Sequence, residues 1–175
     1  DLLIGAPYGQ PDYDDSGVSY LFFGEDFLYT ITHRGGESAD NLVGDAAADV
    51  MLGGGGDDVL VGGGGADVLR GGPGDDILAV SDLAFARTQG GNGEDALRLD
   101  AAGLTLDLTA IPDNRIMDIE QIDLTGSGAN SLVLDQREVL NLSSHSNTLV
   151  VRGDSDDSVD PGSGWTVDGT QLLDG

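Results

Sequence analysis

Five aspartates recur at a spacing of nine residues: Asp40, Asp49, Asp58, Asp67 and Asp76. Each stands sixth in a nine-residue unit. Residues 35–79 read GGESADNLV, GDAAADVML, GGGGDDVLV, GGGGADVLR and GGPGDDILA without insertion or deletion. A further unit at 90–98, GGNGEDALR, repeats the pattern out of phase and adds Asp95. A fixed period brings these carboxylates into line along any regular coil, where they repel one another unless a cation lies between them. Carboxylate and main-chain carbonyl oxygens are hard ligands, and that donor set suits Ca²⁺.

The elements that would position such ligands follow from the rest of each unit. Paired glycines turn the backbone through positive φ at little steric cost; they stand at Gly53, Gly54 and Gly56, at Gly62, Gly63 and Gly65, at Gly71, Gly72 and Gly74, and at Gly90, Gly91 and Gly93. The residues after each Asp suit a short strand whose eighth position, Leu42, Met51, Leu60, Leu69 or Leu78, points inward. Turn and strand in alternation build a parallel coil in which each unit contacts only its neighbours. The competing reading is a flexible Gly-rich linker with incidental acids. Registered Asp and apolar positions in every unit argue against it.

These residues resemble the RTX (repeats-in-toxin) family, whose consensus is G-G-x-G-x-D-x-U-x with U a large apolar residue. The resemblance implies an all-β parallel β-roll with two nonapeptides per turn and Ca²⁺, several ions in all, between units two apart. Asp40, Asp58 and Asp76 would then share one edge. Asp49 and Asp67 would share the other, extended by Asp95 after a connecting segment at 80–89. The metal set implied is these six aspartates with the turn glycines named above. The first two units carry Ser38, Asp45 and Ala47 where glycines are expected, which predicts weaker calcium binding there. Asp57 and Asp75, beside the consensus Asp, are expected to face solvent.

Composition points the same way. Acidic residues outnumber basic ones 32 to 7, for a formal charge of −25. That balance argues against nucleic acid and anionic membrane surfaces as partners and asks for counter-cations. About four to six Ca²⁺ ions would cancel a third to a half of the excess. With 29 glycines and 5 % aromatic residues, a large conventional core is not expected, and with no cysteine there is neither a disulfide nor a thiolate site. No apolar run is long enough to span a membrane as a helix. The chain opens at Asp1 with no signal peptide and shows no C-terminal export tail, which reads as a fragment.

Before the repeats, DLLIGAPYGQPDYDDSGVSYLFFG resembles one FG-GAP repeat, the blade unit of integrin-α-type propellers. It predicts strands at 2–4 and 18–23. Asp12, Asp14, Ser16 and Gly17 match half of an EF-hand-like loop but Phe23 takes the place of its Glu; an exposed acidic turn is the plainer reading. A strand is expected at 27–32. His33 and His145 each lack a partner at metal-binding spacing and read as surface residues. After the repeats, short alternating segments at 97–100, 104–108, 119–124, 131–135, 148–152 and 165–167 predict further strands at 15–25 residues per rung, hence a wider β-solenoid. A helical turn is expected at 136–142, with Asp135 and Glu138 as a capping box. This part resembles the segment that follows RTX repeats in very large bacterial surface proteins. Asp154, Asp156, Asp157 and Asp160 could hold a cation or form a solvated acidic loop.

The organisation expected is a partial FG-GAP repeat with its lead-in strand at 1–34, an RTX β-roll at 35–98 and a solenoid-like segment at 99–175. No HExxH, GxSxG or Walker loop is present, and each glycine turn leads into Asp and a strand, which repels phosphate. The reading is therefore not an enzyme. It is a calcium-binding segment of a secreted or cell-surface bacterial protein exported by type I secretion, serving adhesion or structural extension, with a surface or matrix ligand or self-association as partner. The alternatives are a subunit of an extracellular filament or surface layer, and the non-catalytic repeat region of an exported hydrolase.

Overall fold

A computed structural model describes residues 2–5, 19–22, 30–126, 128–143 and 146–164. The chain divides into two compact units, Asp1–Thr30 and Ile31–Gly175. In the first, β1 (Leu2–Gly5) pairs antiparallel with β2 (Ser19–Phe22), close to the strands expected from the sequence. The Asp12–Gly17 loop, the strand expected at 165–167 and His145 lie outside the described residues.

The second unit is a parallel coil. In chain order its strands are β3 (His33–Arg34), β4 (Asn41–Val43), β5 (Val50–Leu52), β6 (Val59–Val61), β7 (Val68–Pro73), β8 (Ile77–Val80), β9 (Arg87–Asn92), β10 (Ala96–Leu99), β11 (Thr105–Asp107), β12 (Ile116–Met117), β13 (Gln121–Asp123), β14 (Ser131–Val133), β15 (Val150–Arg152) and β16 (Ser158–Asp160). Through the repeats, successive strands alternate between two sheets. One runs β4-β6-β8-β10-β13-β15 and the other β3-β5-β7-β9-β12; a third, β11-β14-β16, joins after the repeats. Every pairing in these three sheets is parallel.

Period sets register. Leu42, Leu60 and Leu78 stack in one column and Met51 and Leu69 in the other, so two nonapeptides make one turn. The eighth-position side chain of each strand points between the sheets: Met51, Leu60, Leu69 and Leu78 are fully buried. Burying each removes enough apolar surface to stabilise the coil by about 1.5–3 kcal/mol. Leu97 and Ile122 continue the first column. The second passes from Leu69 to Thr88 and Ile116. One hydrophobic core thus runs from the repeats into the C-terminal rungs, through Leu106, Leu132 and Leu134.

Residues 80–89 are not a connector. They form a degenerate half-turn whose strand, β9, stacks on β7. The half-turn holds one residue more than a nonapeptide, and the unit that follows, Gly90–Arg98, carries the chain back to the first sheet at β10. In place of glycines it uses side chains: Asp82 accepts the N–H of Gly65 at 3.1 Å and of Ala84 at 2.8 Å. Arg115 donates to the carbonyls of Phe85 and Leu83 and stacks over the Phe85 ring at 4.4 Å. Of the strand expected at 27–32, residues 27–29 lie outside the described residues; residues 30–32 are irregular and pairing starts at His33.

Beyond the repeats the rungs widen, and α1 (Gln136–Leu142) fits the space so made. Asp135 caps it by accepting the N–H groups of Arg137 and Glu138, and Val139 and Leu142 face the core. Strands β12 and β16 had no clear signal in the sequence, being short and bounded by polar residues. Among the described residues, no helix is long and apolar enough to cross a membrane.

Candidate metal centre

Each consensus aspartate stands at the start of its strand at the edge of the coil, and from Asp58 onward its carboxylate is divided between two tasks. Oδ1 reaches back one turn to a main-chain N–H. Asp58 accepts from Asp40, Asp67 from Asp49, and Asp76 from Asp58, at 2.8–2.9 Å across 18 residues. Asp95 accepts from Asp76 at 2.8 Å, across 19 residues. Asp95 therefore extends the first edge, Asp40-Asp58-Asp76, and not the second, the edge expected if 80–89 were a connecting segment. Residues 80–89 occupy the second-sheet half-turn themselves, which accounts for the difference.

Oδ2 behaves differently from unit to unit. In the first two units it is satisfied at home: Gly36 N–H donates to Asp40 and Asp45 N–H to Asp49, at 2.7 and 3.0 Å. The Gly64 N–H favours the ionised form of Asp67. In Asp58, Asp76 and Asp95, Oδ2 is buried and accepts no hydrogen bond from the protein. An ionised oxygen in that state is costly unless a positive charge meets it. The glycine five residues earlier makes the room. A Cβ at Gly53 would overlap Asp58 Oδ2 and stand 2.6 Å from the Gly71 carbonyl oxygen. Carboxylate and carbonyl oxygens thus flank one small space between adjacent turns.

Electrostatics agree with the geometry. Burial pushes the Asp76 carboxyl up to about 6, with Asp58, Asp57 and Asp75 adding repulsion. Burial likewise lifts Asp95 to about 7, with Asp76, Glu120 and Asp75 contributing. Asp67 is raised by burial first, then by the charges of Asp49 and Asp82. The metal-free coil thus resists the ionisation of these groups, and a divalent cation at their edge would reverse the effect. Among the described residues no three His, Asp or Glu side chains gather at one point. The oxygen donors that supplement each carboxylate come from the main chain, a donor set that fits Ca²⁺.

Residues 34–69 and 52–81 match the RTX calcium-binding nonapeptide repeat. The chain carries RTX repeats. They bind Ca²⁺ at multiple sites, as a structural calcium-binding region folded as a β-roll. Comparisons with curated proteins and with solved structures returned no match.

Around the RTX turns, Asp57, Asp75 and Glu94 form an outer row. Each of the first two is exposed, as expected, yet each carboxylate also reaches back or forward along the coil: Asp57 accepts the Asp75 N–H and Asp75 the Glu94 N–H, at 3.0 and 2.8 Å. His33 is less isolated than its sequence suggested, since Nδ1 lies 3.6 Å from Asp49 Oδ1. In the C-terminal acidic loop, Asp157 accepts from Asn130 and Asp154, Asp154 from Asp156, and Asp160 from Gly162. Those carboxylates serve the loop's own main chain. Sequence reasoning missed Glu120, whose Oε2 accepts the Asp95 N–H at 2.9 Å across 25 residues. No glycine motif precedes it, and only the rung register reveals its place.

Proposed function

We propose that this chain is a non-enzymatic, calcium-folded segment of a secreted or cell-surface bacterial RTX protein, serving adhesion or structural extension. The observation that carries the reading is the row of buried Oδ2 atoms at Asp58, Asp76 and Asp95, unpartnered by protein and flanked by glycine turns. On this reading Ca²⁺ lies between stacked turns. Asp40, Asp49, Asp58, Asp67, Asp76 and Asp95 supply carboxylates, and the turns built on Gly53–Gly56, Gly62–Gly65, Gly71–Gly74 and Gly90–Gly93 supply carbonyl oxygens. The chain would stay unfolded where Ca²⁺ is scarce, as the uncompensated carboxylates repel, and fold on reaching a calcium-rich exterior. Its organisation is a partial FG-GAP-like repeat with its lead-in to the coil at 1–34, the roll at 35–98 and the solenoid at 99–175.

The test is far-UV circular dichroism with thermal unfolding, in EGTA and across a Ca²⁺ titration to about 10 mM, a range set by weak extracellular sites, with Mg²⁺ as control. A disordered spectrum that becomes β-rich with Ca²⁺ alone supports the reading. The same spectrum and melting temperature in EGTA would sink it.

A second reading, a calcium-dependent filament subunit, is favoured by exposed apolar residues on the last strands, Val150 and Val159. Light scattering against Ca²⁺ concentration separates the two: growth to long fibres supports assembly and a persistent monomer opposes it.

A further inference from the structure

The RTX match ends at residue 81, but the edge of carboxylates does not. The turn Gly90-Gly91-Asn92-Gly93-Glu94-Asp95 stacks directly on the turn at 71–76: a Cβ at Gly91 or Gly93 would overlap the carbonyl oxygens of Gly72 and Gly74. On its other side no glycine turn exists. Residues 116–120, Ile-Met-Asp-Ile-Glu, stand there instead. Strand β12 pins the start of this segment to β9, and Ile119 anchors its end in the core with no exposure.

Between them Asp118 takes φ 52, and among the described residues it is the non-glycine residue at positive φ. Gln89 Nε2 donates to its side chain at 3.1 Å, which helps to fix that turn. The consequence is the direction of its carbonyl. A Cβ at Gly90 would overlap both the Asp118 oxygen and Asp95 Oδ2. In the repeats, the carbonyl in the corresponding place beside Gly53 belongs to Gly71. Asp118 thus does with a left-handed aspartate what the next RTX turn does with glycine. Asp95 is fully buried and its Oδ2 accepts no hydrogen bond from the protein. Glu120 brings a second carboxylate to the same rung, where its Oε2 holds the Asp95 N–H.

We infer that Asp95 Oδ2, the Asp118 carbonyl and the Glu120 carboxylate hold a further Ca²⁺ ion, in a site that joins the last glycine turn to the C-terminal solenoid. The inference rests on the calcium reading above and adds a site whose closing half contains no RTX motif. Functionally, the ion would couple the two parts: the solenoid would gain order only when the roll is loaded.

Native mass spectrometry of the full chain during a Ca²⁺ titration counts the ions, and hydrogen exchange locates them. Glu120→Gln keeps an acceptor for the Asp95 N–H while removing the charge. It is expected to bind one ion fewer than wild type and to lose calcium-dependent protection at 116–122, with protection at 53–79 intact. Asp118→Gly keeps the carbonyl and the left-handed turn, and is expected to retain the full count. An unchanged count in Glu120→Gln, or protection at 116–122 that is the same with and without Ca²⁺, would overturn the site in favour of a protonated Asp95 bonded to the Asp118 carbonyl. A full count lost in Asp118→Gly would overturn the carbonyl assignment. Failure of wild type to bind any Ca²⁺ is a different result, since it removes the calcium reading as a whole.

Discussion

The main-chain N–H of Asp58 donates to Oδ1 of Asp76 at 2.8 Å, leaving Oδ2 of Asp76 buried and without a protein partner. One side chain thus carries a structural oxygen and a ligand oxygen. Asp76→Asn separates them, because an amide oxygen preserves the first bond and the amide nitrogen removes the charge from the second position. In metal-free protein near neutral pH, with the coil populated by an excluded osmolyte, the substitution is expected to stabilise the coil by about 1 kcal/mol, or about 2–4 °C. In saturating Ca²⁺ it is expected to melt below wild type and bind fewer ions. Thermal unfolding in both conditions checks the change of sign; a loss of stability in both would show that Asp76 acts through packing alone.

The same carboxylates set a pH dependence. Burial holds the folded carboxyl of Asp76 at about 6 and of Asp95 at about 7, both above the ordinary aspartate value. A raised folded pKa contributes stability that is fully present below about 4 and is lost as pH rises through about 6 to 7. Metal-stripped protein, with the coil populated by the same osmolyte, should therefore melt higher at pH 5 than at pH 8. Calcium affinity should move the other way and fall on acidification, since binding must displace those protons. Melting curves and calorimetric titrations across pH 5–8 test both signs, and parallel trends would remove the link between the two.

Gly53 is expected to tolerate no side chain in the loaded state. A Cβ there would overlap Asp58 Oδ2 and crowd the Gly71 carbonyl oxygen. Gly53→Ala should reduce the ion count and lower the calcium-saturated melting temperature, while leaving the α1 region intact. Retention of all ions would mean that the turn can open without harming the site.

The nonapeptide rungs were legible because their signal is redundant: Leu60, Leu78 and Asp58, Asp76 repeat at one spacing, and each position restates the register. The helix at 136–142 was legible from its cap residue, Asp135. Residues 80–89 hold no glycine turn before Gly90 and so read as a connector; that reading, and not the period, put Asp95 on the wrong edge. The substitutes for glycine turns were hidden for a related reason. Asp82, Arg115, Asp118 and Glu120 act through contacts 17 to 32 residues away, and nothing local distinguishes them from ordinary surface side chains.

Arg115 illustrates that class. Its guanidinium satisfies the carbonyls of Phe85 and Leu83 and covers the Phe85 ring, in a half-turn without RTX glycines. Arg115→Met keeps the apolar stem and removes the donors. It is expected to destabilise the chain by about 2–3 kcal/mol, by a similar amount with and without Ca²⁺. Denaturant unfolding in Ca²⁺, and in EGTA with the coil populated by the same osmolyte, measures this; an effect confined to the loaded state would instead tie Arg115 to metal binding.

The two edges of the roll should not contribute equally. Oδ2 is buried and unpartnered at Asp58 and Asp76 on the first edge, whereas on the second Asp49 Oδ2 accepts from Asp45 and the Gly64 N–H favours the ionised Asp67. A cation at the first edge meets an oxygen ready to bind. At the second it must displace a main-chain bond whose net value is about 1 kcal/mol. The pair Asp58→Ala with Asp76→Ala should therefore lose more ions, and more calcium-dependent exchange protection, than the pair Asp49→Ala with Asp67→Ala. Native mass spectrometry of the two double variants decides it. Equal losses would mean that the second-edge carboxylates exchange their main-chain bonds for Ca²⁺ without penalty, and the asymmetry would then belong to the metal-free coil alone.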